Sequence, residues 1–432
     1  MATADNKTVI KKKKKSGIAR IIPEKGYAVL LLIMALVGVA FLAMLTVFNA
    51  LPAKYTMAAV AALFALLILV NFLFLRKNKG LRILGVVLSA LFLIIYGAGT
   101  YYLGNTYAMF SKISESDSPH YVSANSGLDL AQDSYNIYVT GIDMWSTEKG
   151  LDLERSDVNM IVTVCPKTRK LLLTSIPRDS YVRLHTAGQM DKLTHTGVYG
   201  VDETVNTVQD WLGLDMNYYV KMNFSAIVGI INAIGGVDVY SPKEFHPSKR
   251  SWKTVKKGWN HMNGKDALAF ARERKAFNNE DSMRVENQQR VVDAILKKIM
   301  TSPALLTGYP KILEAANDNL STNMSADDIQ ALVKMQLEDL GEWDIESQKI
   351  EGVYDMDYVA SLTQEQKFQV YRTDPDSVNA CLDRISQVMN PTAEEIRAVE
   401  QARIEKKKEA GIRSMLEKLG IRSQDEESEE KE

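Results

Sequence analysis

Three long apolar segments within the first 110 residues restrict the fold of this chain more than any other feature of its sequence. Residues 26–53, 55–75 and 83–103 contain no charged side chain. A helix needs about 20 apolar residues to cross a bilayer, and lipid offers no partner to free backbone groups. Helices in soluble cores are polar on one face, whereas these segments are apolar on every face. The first is also too long for a cleaved signal peptide. We therefore predict three transmembrane helices within residues 26–110.

The basic residues around these segments predict their orientation. Eight lie within residues 1–25, four lie between the second and third segments, and Lys54 alone separates the first from the second. Because basic loops stay in the cytoplasm, the N-terminus should be cytoplasmic and everything after Phe110 extracytoplasmic. The run Lys11–Lys15 is a candidate nucleic-acid patch, but its position before a span favours a role in topology and in binding anionic lipid. We expect membrane lipid, and no nucleic acid, as a partner.

The net charge of −1 conceals two parts of opposite sign. Residues 1–110 carry a net charge of +11, so the remainder carries −12. This asymmetry indicates a basic membrane part joined to an acidic outer part. Since Cys165 and Cys381 are the only cysteines, a disulfide-stapled scaffold is excluded, although one bridge remains open. We expect both cysteines to be buried as small apolar residues.

The outer part alternates strand-like and helix-like segments after a linker at residues 111–134. Predicted strands are NIYVTGID, VNMIVTVC, KLLLTSIP, YYVKMNF and VDVY. Predicted helices are VDETVNTVQDWL, FSAIVGIINAI, GKDALAFARER and SMRVENQQRVVDAILKKIM, with further helices over residues 304–340. This alternation predicts an α/β domain over residues 135–390, with helices on both faces of a sheet. Residues 391–432 should form a charged helix followed by a disordered acidic tail.

Arginine occurs together with aspartate, glutamine or a second arginine at the ends of these elements. The pairs are Arg155 with Asp157, Arg178 with Asp179, Arg272 with Arg274, and Arg284 with Gln288. Residues two apart on a strand, or four apart on a helix, share a face. Planar guanidinium groups suit phosphate or pyrophosphate, and the carboxylates of Asp143 and Asp157 suit a magnesium ion bound beside phosphate. For any single pair, a surface ion pair remains the simpler interpretation.

The order of these segments resembles the LytR-CpsA-Psr family of bacterial cell-wall enzymes. The resemblance covers roughly residues 132–300, with core motifs over 135–300, in the blocks GID, RSDVNMIVTV, SIPRDSYV, LGLDMNYYVKMNFSAIVGIINAIGGVDVY, GKDALAFARER and DSMRVENQQRVV. It implies a three-layer α/β/α fold with a central mixed sheet and an apolar tunnel for a polyprenyl chain. It also implies a phosphotransferase that moves a glycopolymer, such as a teichoic acid or capsular polysaccharide, from a polyprenyl-pyrophosphate carrier to peptidoglycan.

Family roles transfer to individual positions of this sequence. The resemblance implies that Asp143 and Asp157 hold Mg²⁺ or Mn²⁺. It implies pyrophosphate binding by Arg155, Arg178, Arg272, Arg274, Arg284 and Gln288, and catalytic roles for Asp143, Arg178, Asp179 and Arg284. Asp179 either orients Arg178 or assists proton transfer. A sugar hydroxyl would attack the phosphorus nearer the glycan, with polyprenyl phosphate leaving.

The sequence departs from the family pattern near the acceptor side of the expected site. Met144 and Trp145 stand where a basic residue is usual, and His195-Thr196 follow Lys192-Leu193-Thr194 where Asn-Ala is usual. Glu286 occupies a position that is often small or basic. These departures bear on the identity of the substrate more than on the type of reaction. Two other functions stay open: a polyprenyl-pyrophosphate hydrolase, and a non-catalytic membrane sensor or regulator of envelope polysaccharide synthesis. The two extra spans could also contact the polysaccharide-synthesis machinery.

Overall fold

The computed structural model consists of two compact units that divide between Tyr107 and Ala108. Each unit is described here by itself. The structure describes residues 24–49, 51–113, 127–142, 155–247, 253–273, 280–301, 311–312, 314–315, 319–338, 343–362 and 365–418.

The N-terminal unit contains the three predicted apolar helices, α1 (Glu24–Val47), α2 (Ala53–Leu75) and α3 (Lys79–Ile113). By length and composition, each can cross a membrane. Small residues allow close contacts between them, since a Cβ on Gly85 would lie 2.7 Å from the ring of Phe74. A helix in lipid can be apolar on every face. Exposed leucines and isoleucines are therefore numerous in these three helices.

The described part of the C-terminal unit has twelve strands. They are β1 (Tyr135–Ile142), β2 (Ser156–Cys165), β3 (Lys170–Ile176), β4 (Tyr181–Arg183), β5 (Met190–Lys192), β6 (Tyr218–Asn223), β7 (Val237–Ser241), β8 (Gly258–Met262), β9 (Leu320–Thr322), β10 (Asp344–Lys349), β11 (Gly352–Asp357) and β12 (Phe368–Thr373). The helices are α4 (Leu193–Thr196), α5 (Val201–Leu212), α6 (Phe224–Ala233), α7 (Gly264–Ala271), α8 (Glu280–Thr301), α9 (Ala326–Glu338), α10 (Pro375–Met389) and α11 (Ala393–Lys418).

Six strands form the central sheet, in the order β10-β3-β2-β1-β6-β9. β1 runs parallel to β6 and β10 runs parallel to β3, while the other neighbours are antiparallel. The sheet is therefore mixed, as the sequence predicts. The antiparallel β2 and β3 are joined by a tight turn in which Arg169 adopts a positive φ of 51°.

Helices cover both faces of this sheet. On one face, α5 and α10 pack against strand residues such as Tyr138, Ile161 and Cys165. On the other face, α8 and α9 pack against Tyr135 and Met160. Because side chains alternate along a strand, neighbouring residues of β1 and β2 supply the two separate cores. This arrangement confirms the three-layer α/β/α prediction.

β10 closes one edge of the sheet by charge as well as by hydrogen bonds. Oε1 of Glu346 lies 2.7 Å from Nζ of Lys170 on β3, and its carboxylate accepts two further bonds at 2.6 and 2.8 Å from Nη2 of Arg384 on α10. Burial alone would raise the pKa of Glu346, but these two cations outweigh it and lower the pKa. One side chain thus ties an edge strand to its neighbour and to the covering helix.

A smaller cluster lies beside the sheet, where α6, α7 and α8 enclose the β7–β8 hairpin. Its buried core includes Ile231, Val239, Phe270 and Val291. The predicted linker, residues 111–134, begins inside α3, and Leu130 within it is buried against the sheet. The other proposed domain boundaries stay predictions, and the acidic tail lies outside the described residues.

Candidate functional site

Four neighbouring strands bring candidate residues to one edge of the central sheet. β1 and β6 both end there, with Ile142 opposite Asn223. β2 begins there, with Ser156 opposite Ile142, and β3 ends there, with Ile176 opposite Asn159 of β2. The outermost of these strands are three spacings apart, or about 14 Å. Long side chains from all four strands can therefore reach a common ligand here. We call this region, where β1, β3 and β6 end and β2 begins, the anion edge.

Arg178, two residues after β3, lies at the centre of a group of charged side chains on the anion edge. Its Nη1 lies 2.7 Å from Oδ1 of Asp157, and its Nε lies 3.5 Å from Oδ2 of Asp179. Nζ of Lys192 lies 3.7 Å from Oδ1 of the same Asp179. All four side chains are partly buried. The sequence predicted Arg178, Asp157 and Asp179 as site residues, and it did not predict Lys192.

Backbone hydrogen bonds fix the loop that carries Arg178. The backbone N–H of Ser180 donates to the carbonyl of Pro177 at 3.0 Å, which forms a tight turn after β3. The N–H of Thr194 donates to the carbonyl of Arg178 at 2.7 Å, and the N–H of Leu193 donates to that of Ser180 at 2.9 Å. The start of α4 is therefore bonded directly to this loop, which explains why Lys192 reaches Asp179.

The β11–β12 hairpin holds the same loop from another side. The N–H of Tyr371 donates to the carbonyl of Asp179 at 2.8 Å, and the guanidinium of Arg372 lies 5.1 Å from the ring centre of Tyr181. Since two separate elements bond to its backbone, the loop positions Arg178 independently of the side chain's own ion pairs. Such preorganisation suits a site that stabilises charge.

A buried hydrogen-bond network around Asp191 adjoins Lys192. The carboxylate of Asp191 has no exposed surface and accepts from the backbone N–H groups of Lys192 at 2.6 Å and Ser361 at 2.7 Å. Nδ1 of His195 lies 2.7 Å from this carboxylate and 2.8 Å from Oγ of Ser361. Burial would raise the pKa of Asp191, but hydrogen bonds from His195, Ser361 and Lys192 outweigh it and lower the pKa.

Thr194, between Lys192 and His195, carries a hydroxyl with an unusual environment. The residue is 3% exposed, and within the described part of the chain its Oγ1 is buried without a hydrogen-bond partner. A buried hydroxyl normally finds a partner, because leaving it unpaired costs free energy. The backbone N–H of Thr194 donates to the carbonyl of Arg178, so the residue adjoins the loop that carries the charged group.

Arg272 reaches the anion edge through an aromatic contact. α6 starts directly after β6, and the side chain of Asn223 caps it by accepting from the N–H of Ala226 at 3.0 Å. The first residue of α6, Phe224, presents its ring to the Arg272 guanidinium, whose carbon lies 4.6 Å from the ring centre. This cation–π contact holds Arg272, at the end of α7, near the end of β6.

A close crossing of α6 and α7 sets the position of Arg272. The N–H of Gly264, the first residue of α7, donates to Oδ1 of Asn232 at 2.9 Å. A Cβ on Gly264 would lie 2.2 Å from the carbonyl oxygen of Val228 on α6. Only glycine permits this approach, so the register of α7 depends on residue 264.

The first turns of α8 bring Arg284 to the same edge. Arg284 is only 6% exposed, and one turn later Nδ2 of Asn287 lies 3.5 Å from the carbonyl oxygen of Phe270 on α7. Glu286 lies 3.7 Å from Nζ of Lys349, which ends β10 beside the end of β3. The first turns of α8, which include Arg284, are therefore held between the end of α7 and the strand ends. Gln288, four residues after Arg284, shares its helix face and is half-buried.

Three further residues were predicted for the site: Asp143, Arg155 and Arg274. Arg155 is exposed and stands directly before β2, two residues from Asp157. Asp143 and Arg274 lie outside the described residues, so their roles stay predictions.

Comparisons with known proteins point in one direction. A model of the LytR_cpsA_psr family matches residues 100–382. A polyisoprenyl-teichoic acid–peptidoglycan teichoic acid transferase TagU of Bacillus mycoides (strain KBAB4) is 34% identical over 249 residues, which is 57% of this chain and 80% of that protein. A protein of the same name from Bacillus licheniformis is 28% identical over 274 residues, covering 63% and 83%.

Solved structures agree with these sequence relatives. The crystal structure of Bacillus subtilis TagV is 28% identical, covers 60% of this chain and 99% of that one, and superposes with a TM-score of 0.50. The protein gbs0355 of Streptococcus agalactiae is 27% identical, covers 60% and 89%, and also gives a TM-score of 0.50.

Proposed function

This chain belongs to the LytR-CpsA-Psr family, and we propose that it transfers a glycopolymer from a polyprenyl-pyrophosphate carrier to peptidoglycan at the anion edge. Its relatives are transferases of teichoic acid to peptidoglycan by name. The chain is a transferase of the same kind, and its three N-terminal helices anchor it in a membrane. The glycopolymer that this chain transfers, a teichoic acid or a capsular or related polysaccharide, is part of the proposal.

One observation carries the proposal: the cluster of Arg178, Asp157, Asp179 and Lys192 on a backbone-fixed loop of the anion edge. Arg272 and Arg284 lie at the same edge by the contacts of α7 and α8. Guanidinium groups on several elements match the spread charge of a pyrophosphate, which a single surface ion pair would not.

The reaction that this arrangement supports is an in-line phosphoryl transfer. The pyrophosphate binds among the arginines, and a sugar hydroxyl of peptidoglycan attacks the phosphorus nearer the glycan. A new P–O bond forms to that hydroxyl oxygen, the bridging P–O bond breaks, and polyprenyl phosphate leaves. The hydroxyl proton passes to a carboxylate, for which Asp179 and Asp143 are the candidates. Catalysis then rests on position and charge, so no side-chain nucleophile is needed.

The residues at the anion edge fit a divalent cation that arrives with its phosphate. Magnesium binds through one or two carboxylates together with substrate phosphate oxygens and water. Asp157 supplies one carboxylate, and Asp143 is the predicted second. Among the described residues no cluster of three or more carboxylate, imidazole or thiol groups forms a site by itself. Magnesium or manganese would neutralise charge on the pyrophosphate, while Arg178 holds Asp157 in place.

The experiment that tests the proposal compares arginine variants of the full chain in lipid bilayers. The substrate is a short glycan on polyprenyl pyrophosphate, offered with and without a peptidoglycan oligosaccharide. We expect Arg178→Ala with Arg284→Ala to lose transfer by at least about 10³-fold. The exposed pair Arg183→Ala with Arg397→Ala makes the same charge change and should keep it. The single variant Arg178→Ala is measured as well, because Arg284 is the more buried residue and its removal is the change that risks misfolding.

The same assay separates the two other functions. A hydrolase would release glycan phosphate at the same rate without acceptor, and a sensor would bind the glycolipid without product. Near-normal transfer in the double arginine variant would reject the site.

The orientation of the anchor is also part of the proposal. The basic residues before α1 and between α2 and α3 support a cytoplasmic N-terminus and an extracytoplasmic C-terminal unit. The proposal includes contact of the anchor with polysaccharide-synthesis proteins, which its small residues permit. Labelling of single cysteines by an impermeant maleimide in intact cells tests the orientation: residue 167 should react and residue 78 should not.

A further inference from the structure

The β7–β8 hairpin and the segment that connects its strands differ in charge from the rest of the C-terminal part. Between Ser241 and Gly258 the sequence has six basic residues and one acidic residue. Residues 111–432 as a whole carry a net charge of −12. A cluster of basic residues in an otherwise acidic sequence indicates a segment that meets an anionic partner.

The outer face of this hairpin exposes two large aromatic rings. Val237 and Val239 point into the core, while Tyr240 and Trp259 point outward from paired positions of the two strands. Trp259 is 71% exposed, and its ring meets that of Tyr240 edge to face at 5.6 Å. Because the inner face is fixed against α8, the aromatic pair cannot turn inward. Exposed aromatic surface with a polar rim is characteristic of a contact site.

Four lysines adjoin these rings, two in the sequence and two around the same cavity. Lys256 and Lys257 are exposed and directly precede Gly258-Trp259. Lys297 and Lys298 of α8 line a shallow cavity of about 310 Å³ together with Tyr240 and Trp259.

Acidic groups at the same place are already paired. Asp293 lies 3.1 Å from Lys297, and Asp238 lies 2.8 Å from Nδ1 of His261. Among the described residues, Lys256, Lys257 and Lys298 have no carboxylate within ion-pair distance. The surface therefore offers net positive charge beside exposed aromatic rings.

We propose that this face, formed by Tyr240, Lys256, Lys257, Trp259 and Lys298, docks on a phospholipid bilayer with anionic headgroups. Tryptophan and tyrosine favour the boundary between hydrocarbon and headgroups, because one part of each ring system is apolar and the other is polar. Lysines beside them are attracted to anionic lipid. The two carboxylates that line the cavity beside the rings, Asp238 and Asp293, are bonded to His261 and Lys297, whereas a sugar ring would need them to accept its hydroxyl groups. The lysines of this face and the exposed rings therefore fit an anionic lipid surface better than a sugar.

Docking would have a direct consequence for the anion edge. α7 and α8, which lead to Arg272 and carry Arg284, pack on the inner side of this hairpin. A hairpin held at the headgroup layer keeps these arginines close to that layer, where the pyrophosphate of a lipid-linked substrate lies. This consequence rests on the proposed function, whereas the docking itself does not.

The test uses the full chain in bilayers and a fluorophore attached through Thr254→Cys, an exposed position beside Lys256 that leaves Tyr240, Trp259 and the lysines of the face intact. Bilayers of phosphatidylcholine are compared with bilayers that contain about one third phosphatidylglycerol, each with and without brominated acyl chains that quench nearby fluorophores. We expect strong quenching in the anionic bilayers and little in the neutral ones. Lys256→Glu with Lys257→Glu should reduce the quenching severalfold, as should high salt. The matched control, Lys167→Glu with Lys408→Glu, changes exposed lysines elsewhere and should leave it unchanged.

Three results would overturn the inference: absence of quenching in anionic bilayers, equal quenching in neutral bilayers, or equal quenching in the hairpin variant. A signal from short poly(glycerol phosphate) in solution, without lipid quenching, would assign the face to an anionic polymer instead. Transfer activity in detergent micelles serves as an independent readout. Quenching in a chain without transfer would reject the proposed function and leave the docking surface in place.

Discussion

The guanidinium of Arg178 lies 2.7 Å from the carboxylate of Asp157, although the two residues stand 21 positions apart in the chain. The pairing joins the loop after β3 to the beginning of β2, across neighbouring strands. Both side chains are about one-quarter exposed, so the charges keep some contact with water. A ligand anion can therefore approach Arg178 while Asp157 keeps it oriented, which is the property that a phosphate site requires.

The first prediction concerns the shape of the Arg178 side chain. Arg178→Lys keeps the charge, but a single ammonium group cannot contact both Asp157 and Asp179 and also offer a planar fork to phosphate. We expect kcat/KM for transfer to fall by about 10³-fold, near the lower end for arginines in phosphoryl transfer. Arg183→Lys in β4 is the control and should have normal kinetics. Equal rates for the two variants would show that Arg178 acts only as a positive charge.

The second prediction concerns pH and the buried carboxylate of Asp191. Its pKa is lower in the folded chain than in the unfolded chain, so the unfolded state binds more protons between the two values. The stability it contributes is complete above its ordinary pKa of 3.8 and is lost as pH falls through the lower, folded value. Amide hydrogen exchange at Leu193 and Thr194, whose N–H groups bond across to the Arg178 loop, reports this local stability.

The matching variant is Asp191→Asn. An amide would place an NH2 group where one carboxylate oxygen accepts, opposite the N–H donor of either Lys192 or Ser361, so local opening at neutral pH should become easier by about 1–3 kcal/mol. The difference between the two proteins should shrink as the pH falls below 3.8. If the two proteins differ by the same free energy of local opening at every pH at which they fold, protonation of Asp191 does not contribute to the pH dependence.

The third prediction concerns the buried hydroxyl of Thr194. Valine has the same shape without the polar atom, so Thr194→Val should raise the free energy of unfolding by about 1 kcal/mol. If the hydroxyl serves the bound pyrophosphate, the same change lowers kcat/KM about tenfold, the equivalent of one hydrogen bond. Calorimetry and transfer kinetics on one preparation test both effects. Thr194→Ser, which retains the hydroxyl, should keep the activity.

The fourth prediction concerns the crossing of α6 and α7. Gly264→Ala would place a methyl group against the backbone of Val228, and the helices would have to separate. We expect a loss of about 1–3 kcal/mol in stability, with reduced transfer because Arg272 moves with α7. Gly411→Ala on α11 has nothing within 4 Å of the added carbon and should be neutral or slightly stabilising. Scanning calorimetry of both variants makes the comparison.

The parts of the fold that the sequence predicted share long periodic patterns. β1, β2 and β3 alternate or run continuously apolar, and α5 ends at Gly213, whose φ of 61° only glycine adopts readily. The short strands were not predicted, since β4, β5 and β9 have three residues each and no period is visible in three residues. β11 and β12 were missed because their charged residues conceal the alternation.

The site divides in a similar way. The motif around Arg178 and Asp157 was predictable from its resemblance to a family, and the structure brings these residues together. Lys192 and the network of Asp191, His195 and Ser361 were not predicted, because Ser361 is 166 positions from His195. Contacts of that separation depend on how β11 and β12 pair, which local patterns do not reveal. The signal that was present is the spacing of four between Asp191 and His195, across the start of α4.

Lys170 of β3 is bonded to Glu346 of β10, which stands 176 positions further along the chain. The outer side of β3 therefore pairs with a strand that is synthesised much later. β3 has no neighbour on its outer side until β10 has left the ribosome, so a long row of backbone donors and acceptors stays open to foreign strands. A message that stops before codon 344 would therefore yield a product that aggregates rather than a smaller working enzyme.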